Sequence, residues 1–216
     1  MKPIKISEAV VRRLPIYLRF LNELSLSNIQ TVSSQDLGEK LDLNPAQIRK
    51  DLAYFGEFGR KGVGYNVDYL IEKIRQILKL DKTMYVALVG TGNLGRALCN
   101  YNTYIKDNMK IVAVFDADES KKGTQINHMT VRPMQELSAS VQQLDISVGI
   151  ITVPAPEAQN VADQFIAAGI RGLLNFAPVV LKAVPGVRIH NADFTAELLS
   201  LAYYMDHINE AKEGDE

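Results

Sequence analysis

Six consecutive residues, Gly90, Thr91, Gly92, Asn93, Leu94 and Gly95, spell GxGxxG. Such a pattern holds a pyrophosphate when it follows a strand and opens a helix. The apolar run 85–89 precedes it and a helical stretch starts around Asn93, so that setting is present. Gly90 allows the sharp turn, Gly92 lets the pyrophosphate approach the backbone, and Gly95 lets the helix pack near the strand. The phosphates then meet free N–H groups at the helix start. A second apolar run, 111–116, ends in Asp116, about 20 residues beyond the last glycine, the usual place for a ribose-binding acid. A carboxylate there accepts hydrogen bonds from the adenine ribose hydroxyls and repels a 2′-phosphate, which favours NAD(H) over NADP(H). FAD or S-adenosylmethionine also suits a loop of this kind.

No catalytic set accompanies the turn. A dehydrogenase needs an acid or base beside the reacting carbon and a domain that holds substrate. His128 falls in a surface turn, His190 at a strand end in a structural role, and His207 in the last helix. Val153 and Pro154 close one strand, and residues 175–178 close another, at the sheet edge where ligands bind. They could line a nicotinamide pocket or simply stop the strands. Cys99 is the single cysteine, expected as a buried packing residue, and with three scattered histidines no metal site is expected. Cofactor binding without visible chemistry points to a dinucleotide used as a signal and to a protein that is not an enzyme.

The elements that must position these residues follow α/β spacing. Strands are expected at 146–153, 172–175 and 187–189, with a helix at 156–168 between them, giving a Rossmann-type, mostly parallel sheet over 81–190. The chain of 216 residues, 47% hydrophobic and 23% charged, suffices for two compact domains. Its N-terminus has no continuous apolar segment and no run approaches a membrane span, so a soluble cytoplasmic protein is expected.

Residues 1–80 hold 13 Lys and Arg against 9 Asp and Glu, a net of +4, and residues 81–216 hold 11 against 16, a net of −5. A basic front on an acidic body suits a module that meets a polyanion. Apolar residues at helical spacing predict a helix over 6–26, with Pro15 bending it or dividing it in two. Ser33 and Asp36 stand as a capping box for a short helix, and Asn44 with Pro45 starts the next, which makes a helix-turn-helix. In that third helix, 45–55, Ile48, Leu52 and Phe55 face inward. Ala46, Lys50, Ala53 and Tyr54 face outward, with Gln47 and Arg49 on the flanks, as a recognition helix requires. Arg60 and Lys61 sit among four glycines in a tight hairpin, a wing beside that helix. Another amphipathic helix over 68–79 ends the domain, and residues 80–83 form the link. The segment 191–216 is a terminal helix and tail; its strongly apolar helix, 195–208, wants a partner, either its own sheet domain or a second subunit.

The whole chain resembles the Rex family of bacterial redox-sensing transcriptional repressors. QIRKDLAYFGEFGRKGVGYNV, ALVGTGNLGRAL, GLLNFAPVVL and NADF before the terminal helix carry the likeness, in order and at family spacing. The resemblance implies a homodimer with an N-terminal winged-helix domain, a Rossmann NAD(H)-binding domain and a C-terminal helix exchanged between subunits. It implies repression of fermentation and anaerobic respiration genes, relieved by a raised NADH to NAD+ ratio. Contacts to a palindromic double-stranded DNA operator fall on Gln47, Arg49, Lys50, Tyr54, Arg60 and Lys61. Tyr101 resembles a tyrosine near the nicotinamide pocket, Phe194 the aromatic a partner subunit inserts there, and Arg19 with Asp193 an ion pair across the dimer. Asn93 and Ala192 depart from the family's usual residues. A small NAD-dependent oxidoreductase, or a winged-helix repressor of another nucleotide-like ligand, are the competing readings. Turnover would mark the first, and indifference between NADH and NAD+ the second.

Overall fold

The computed structural model describes residues 6–54, 59–60, 64–101, 109–182 and 184–213. The chain divides into two compact units, Met1–Lys82 and Thr83–Glu216.

The first unit runs α1 (Glu8–Leu26), β1 (Thr31–Val32), α2 (Ser34–Leu41), α3 (Pro45–Ala53), β2 (Gly59–Arg60), β3 (Gly64–Asn66) and α4 (Val67–Ile77). The three strands form a small antiparallel sheet in the order β1-β3-β2, the topology of a winged helix. Helix α1 is continuous through Pro15, so the proline neither divides it nor ends it. Burial of Val10, Leu14, Tyr17, Leu18 and Leu21 along one side offsets the hydrogen bond that a proline removes. The capping box forms as expected: Asp36 N–H donates to Ser33 Oγ, and Ser33 N–H donates to Asp36. Asn44 Oδ1 accepts from Ala46 N–H at the start of α3. Between them the chain turns at Asp42, φ 52°. A Cβ on Gly38 would stand 2.6 Å from Leu43 O and 2.9 Å from the Pro45 ring, so α3 can close on α2 only with glycine there.

The inward face of α3 holds a charge that hydrophobic spacing does not reveal. Ile48 and Leu52 are buried as expected, but Asp51 lies between them, fully buried. Arg13 grips it from α1 with two bonds, Nε to Oδ2 at 2.6 Å and Nη2 to Oδ1 at 2.9 Å. Tyr17 donates its hydroxyl to Oδ2 at 2.7 Å and Gln47 its amide to Oδ1 at 2.6 Å. Burial pushes this carboxyl up, but the donors from Arg13, Tyr17 and Gln47 outweigh it and hold the group below the usual carboxylate range. Burial, and the hydrogen bond to Asp51, push the Tyr17 phenol up.

The second unit holds a seven-stranded sheet in the order β10-β9-β8-β4-β5-β7-β6. Its strands are β4 (Met84–Val89), β5 (Met109–Asp116), β6 (Gln125–Ile126), β7 (Met129–Pro133), β8 (Ile146–Ile151), β9 (Gly172–Asn175) and β10 (Arg188–Asn191). All pairings are parallel except that of β6 with β7. Helices α5 (Asn93–Tyr101), α6 (Leu137–Gln143), α7 (Ala155–Ala167) and α8 (Phe194–Glu213) connect or follow the strands. Counted along the six parallel strands, this is the doubly wound order that reverses between β4 and β8.

Both sheet faces are covered, which explains why β4 is apolar throughout rather than alternating. Ala87 and Val89 pack with Phe165, Val161 and Val141 from α7 and α6, whereas Val86 and Leu88 pack with Cys99 from α5. Cys99 is the packing residue expected of it: burial pushes its thiol up to about 11, so it is protonated near neutral pH. The pair β6–β7 and helix α6 were not among the expected elements.

The Asp51 cluster generates a stability prediction. Its folded-state pKa is depressed, so its contribution is present above about pH 4, the ordinary value, and is lost as pH falls through the depressed one. Asp51→Ala should destabilise the first unit by about 2–3 kcal/mol, discounted because the Arg13 side chain is 23% exposed, and should flatten the acid limb of the curve. Urea denaturation of the full chain between pH 3 and 7 measures both.

Candidate functional site

Two sets of residues carry the candidate functions, one in each unit.

In the second unit the glycine turn lies at the carboxyl edge of β4, beside the point where strand order reverses. Gly90 has φ 102°, and a Cβ on it would stand 2.7 Å from Thr152 O and 2.9 Å from Val153 Cγ1. Thr152 Oγ1 donates to Gly90 O at 2.7 Å, so the end of β8 locks the turn. A Cβ on Gly95 would stand 1.9 Å from Gly90 O. Helix α5 therefore packs on its own turn only with glycine at that place. Gly92 differs: a Cβ there would meet nothing within 4 Å. The fold does not demand a glycine at 92, while a ligand lying over the turn would. The first turn of α5, from Asn93 through the exposed Leu94, presents backbone N–H groups beside that space. This cradle suits a pyrophosphate.

Asp116 ends β5 against the same turn. Its Oδ2 accepts from Thr91 N–H at 2.7 Å and from the Thr91 hydroxyl, and its Oδ1 accepts from Asp118 N–H at 3.0 Å. Lys121 Nζ completes the arrangement, 2.9 Å from Oδ2. Burial raises this carboxyl, but Thr91, the amides of Asp118 and Thr91, and Lys121 together bring it down to about 2. Asp116 is thus a carboxylate throughout the physiological range. Sequence spacing identifies Asp116 but not Lys121, which lies in a charged surface stretch.

Val153 and Pro154 follow β8 and flank the crevice, Val153 close against Gly90. On the far side Asn175 is fully buried. Its amide donates to Ala177 O, Val179 O and Asn191 Oδ1, and its Oδ1 accepts from Ala177 N–H at 3.0 Å. The 175–178 turn is therefore shaped by Asn175 itself, a role its strand-end position did not disclose. Tyr101 and Phe194 stand apart from the turn. Tyr101, 62% exposed, closes α5 about 12 Å along the helix from Asn93. Phe194, 75% exposed, follows β10, three strand spacings from β4 or about 14 Å. Asp193 Oδ1 accepts from Thr195 N–H at 2.9 Å and Ala196 N–H at 3.2 Å, capping α8. The described side chains of α8, residues 194–205, are all exposed, the apolar Leu198, Leu201, Tyr204 and Met205 among them.

In the first unit α3 presents Ala46, Arg49, Lys50 and Ala53 outward. An open depression of about 260 Å³ is lined by Asn44, Ala46, Gln47 and Lys50. Gln47 is half-buried and spends its amide on Asp51, and Arg49 Nη1 donates to Ser34 Oγ at 2.9 Å. Tyr54 differs from expectation: at the C-cap of α3 it is half-buried and packs against the core rather than facing outward. Arg60 belongs to β2, and Arg19 is exposed on α1. Phe55 and Lys61 lie outside the described residues. Among the described residues no helix is long and apolar enough to cross a membrane, and no group of His, Cys, Asp and Glu could hold a metal ion.

Comparison with known proteins bears on both units. Residues 5–53 match a family model for the N-terminus of DNA-binding proteins, and residues 81–179 match the CoA binding domain model. A redox-sensing transcriptional repressor Rex of Brevibacillus brevis is 58% identical over 201 residues, covering 93% of this chain and 97% of that protein. The Rex of Bacillus subtilis is 44% identical, covering 97% and 96%. Among solved structures, RSP, a Rex-family repressor, in complex with NAD+ and operator DNA superposes with a TM-score of 0.88 at 35% identity, covering 97% of this chain and 96% of that one. RSP in complex with NADH gives 0.85 at 34% identity, covering 96% and 98%. With relatives this close matched along nearly their whole length, the chain belongs to the Rex family of redox-sensing transcriptional repressors.

Proposed function

We propose that this protein is a DNA-binding repressor that reads the NADH to NAD+ ratio and leaves its operator when NADH binds. The observation that carries this reading is Gly92, which no neighbouring atom requires to be glycine, next to an ionised Asp116, in a chain that also holds a winged helix. One end of the chain suits a dinucleotide and the other a polyanion. RSP complexes with NAD+ and operator DNA and with NADH lend the same ligands to the proposal.

In this reading Gly90, Thr91, Gly92, Asn93, Leu94 and Gly95 hold the pyrophosphate, Asp116 holds the adenine ribose, and Val153 and Pro154 flank the nicotinamide. The oxidised nicotinamide carries a positive charge and the reduced one does not, so an apolar pocket favours NADH. Phe194, which stands apart from the turn within one chain, would enter the nicotinamide pocket from the partner subunit, and Tyr101 would lie near that pocket. The exposed apolar face of α8 supports its exchange between subunits. Arg19 and Asp193 would pair across that dimer, Asp193 keeping its second oxygen for the partner while the first caps α8. Residues 1–80 would form the winged helix, 81–190 the cofactor domain and 191–216 the exchanged helix and tail. Lys50, Arg49 and the wing residues Arg60 and Lys61 would meet operator phosphates or bases, and a two-fold dimer calls for a palindromic site. Gln47 and Tyr54 would act by holding α3, unless DNA draws them outward.

Anisotropy of a labelled palindromic duplex at fixed salt tests the whole reading. NADH should release the protein at concentrations at which NAD+ leaves the complex intact, and equal effects of the two would refute a redox sensor. Lys50→Ala should weaken binding uniformly across operator variants, lowering the salt slope by about 1, while NADH affinity persists. Gly92→Ala should keep the melting temperature and lose dinucleotide binding, whereas Gly95→Ala should lower both; calorimetry of the two variants separates ligand from fold.

A further inference from the structure

The ribose-facing carboxylate has a cation built against it. Lys121 closes the short 3-10 turn Glu119–Lys121, whose geometry is fixed at both ends. Asp118 Oδ1 accepts from Ser120 N–H at 2.9 Å and Ser120 Oγ at 2.6 Å, and Lys121 O accepts from Thr124 N–H at 3.0 Å and Thr124 Oγ1 at 2.7 Å. The turn delivers Lys121 Nζ to 2.9 Å from Asp116 Oδ2 and 3.9 Å from Asp118 Oδ2. The lysine side chain keeps 32% of its surface exposed against 10% for Asp116, so the ammonium forms the outer layer of the pair.

Two consequences follow. Oδ2 already takes three donors among the described residues, Thr91 N–H, the Thr91 hydroxyl and Lys121, while Oδ1 takes the Asp118 amide. A carboxylate offers about four acceptor sites, so a ribose hydroxyl has to share the carboxylate with Lys121 or displace it. Further, a 2′-phosphate approaching Asp116 meets a carboxylate and an ammonium in contact rather than a lone negative charge, which weakens simple repulsion.

We propose that Lys121 is a specificity-determining residue of the adenosine ribose subsite: Asp116 ties up its ammonium in an ion pair, and this tie, not the lack of a cation, withholds it from a 2′-phosphate. The inference rests on the assignment of NAD(H) to the glycine turn. It predicts a latent capacity for NADP(H), released when the carboxylate is neutralised, because a lysine already placed beside the ribose can donate charge-assisted bonds to phosphate.

Fluorescence titration of the full-length protein with NADH and with NADPH tests it in wild type, Asp116→Asn, Lys121→Ala and the double variant. Asp116→Asn should raise NADPH affinity relative to NADH by about tenfold or more, the size of one charge-assisted hydrogen bond. Lys121→Ala alone should lower that ratio below the wild-type one, and the double variant should lose the gain. A double variant that keeps the gain, a ratio unmoved by Lys121→Ala, or no gain in Asp116→Asn would each overturn the role of Lys121. Should Asp116→Asn fail to fold, the Lys121→Ala ratio decides alone. Wild-type protein that binds neither NADH nor NAD+ would instead overturn the cofactor assignment, which is a separate result.

Discussion

A parallel sheet buried on both faces constrains the second unit more than any other feature. Parallel strands need crossover connections, and those connections have to cover both faces with helices. Val86 and Leu88 look toward α5 while Ala87 and Val89 look toward α6 and α7, so β4 lies at the centre of two cores. All strand ends of like polarity then collect at one edge, where strand order reverses between β4 and β8. The glycine turn, Asp116, Thr152 and the Asn175 turn meet along this edge because the topology leaves them nowhere else.

The first unit depends instead on a buried charge. Asp51 joins α1 to α3 through Arg13 and Tyr17, and no other buried side chain of α3 is polar among the described residues. Asp51 is the one acceptor that Arg13, Tyr17 and Gln47 share, and this directional set of bonds fixes the angle of α3 more sharply than hydrophobic contact, with its tolerance for sliding, could. The capping box at Ser33 and the close approach at Gly38 fix the other end of the two-helix turn.

Much of this was legible in the residues. Features that depend on local spacing, such as GxGxxG between strand and helix, Asn44-Pro45 as a helix start, and Asp116 at the end of an apolar run, occur where the sequence places them. What escaped depends on partners distant in the chain or on ends of elements. Asp51 shares the i, i+3, i+4 face of Ile48 and Leu52, but its partner Arg13 is 38 residues away, so local spacing does not show that a charge can be buried there. Lys121 stands in DADESKKG, where any of several charges looks equally solvated, and only the capped turn singles it out. Tyr54 lies outward by helical period, yet it packs on the core of the first unit, a contact with residues distant in the chain that local spacing does not carry. The strands β6 and β7 are short and lie at a sheet edge, with too few apolar residues to stand out by alternation.

The division of labour around α3 bears on how such a protein can diverge. Ile48, Asp51 and Leu52 answer to the core, while Ala46, Lys50 and Ala53 touch little else in their own unit. Drift at the second group is cheap to tolerate, since it leaves the helix seated where the first group holds it. Descendants of one ancestral chain could therefore acquire new target sequences by changing a handful of outward side chains, with the scaffold inherited intact.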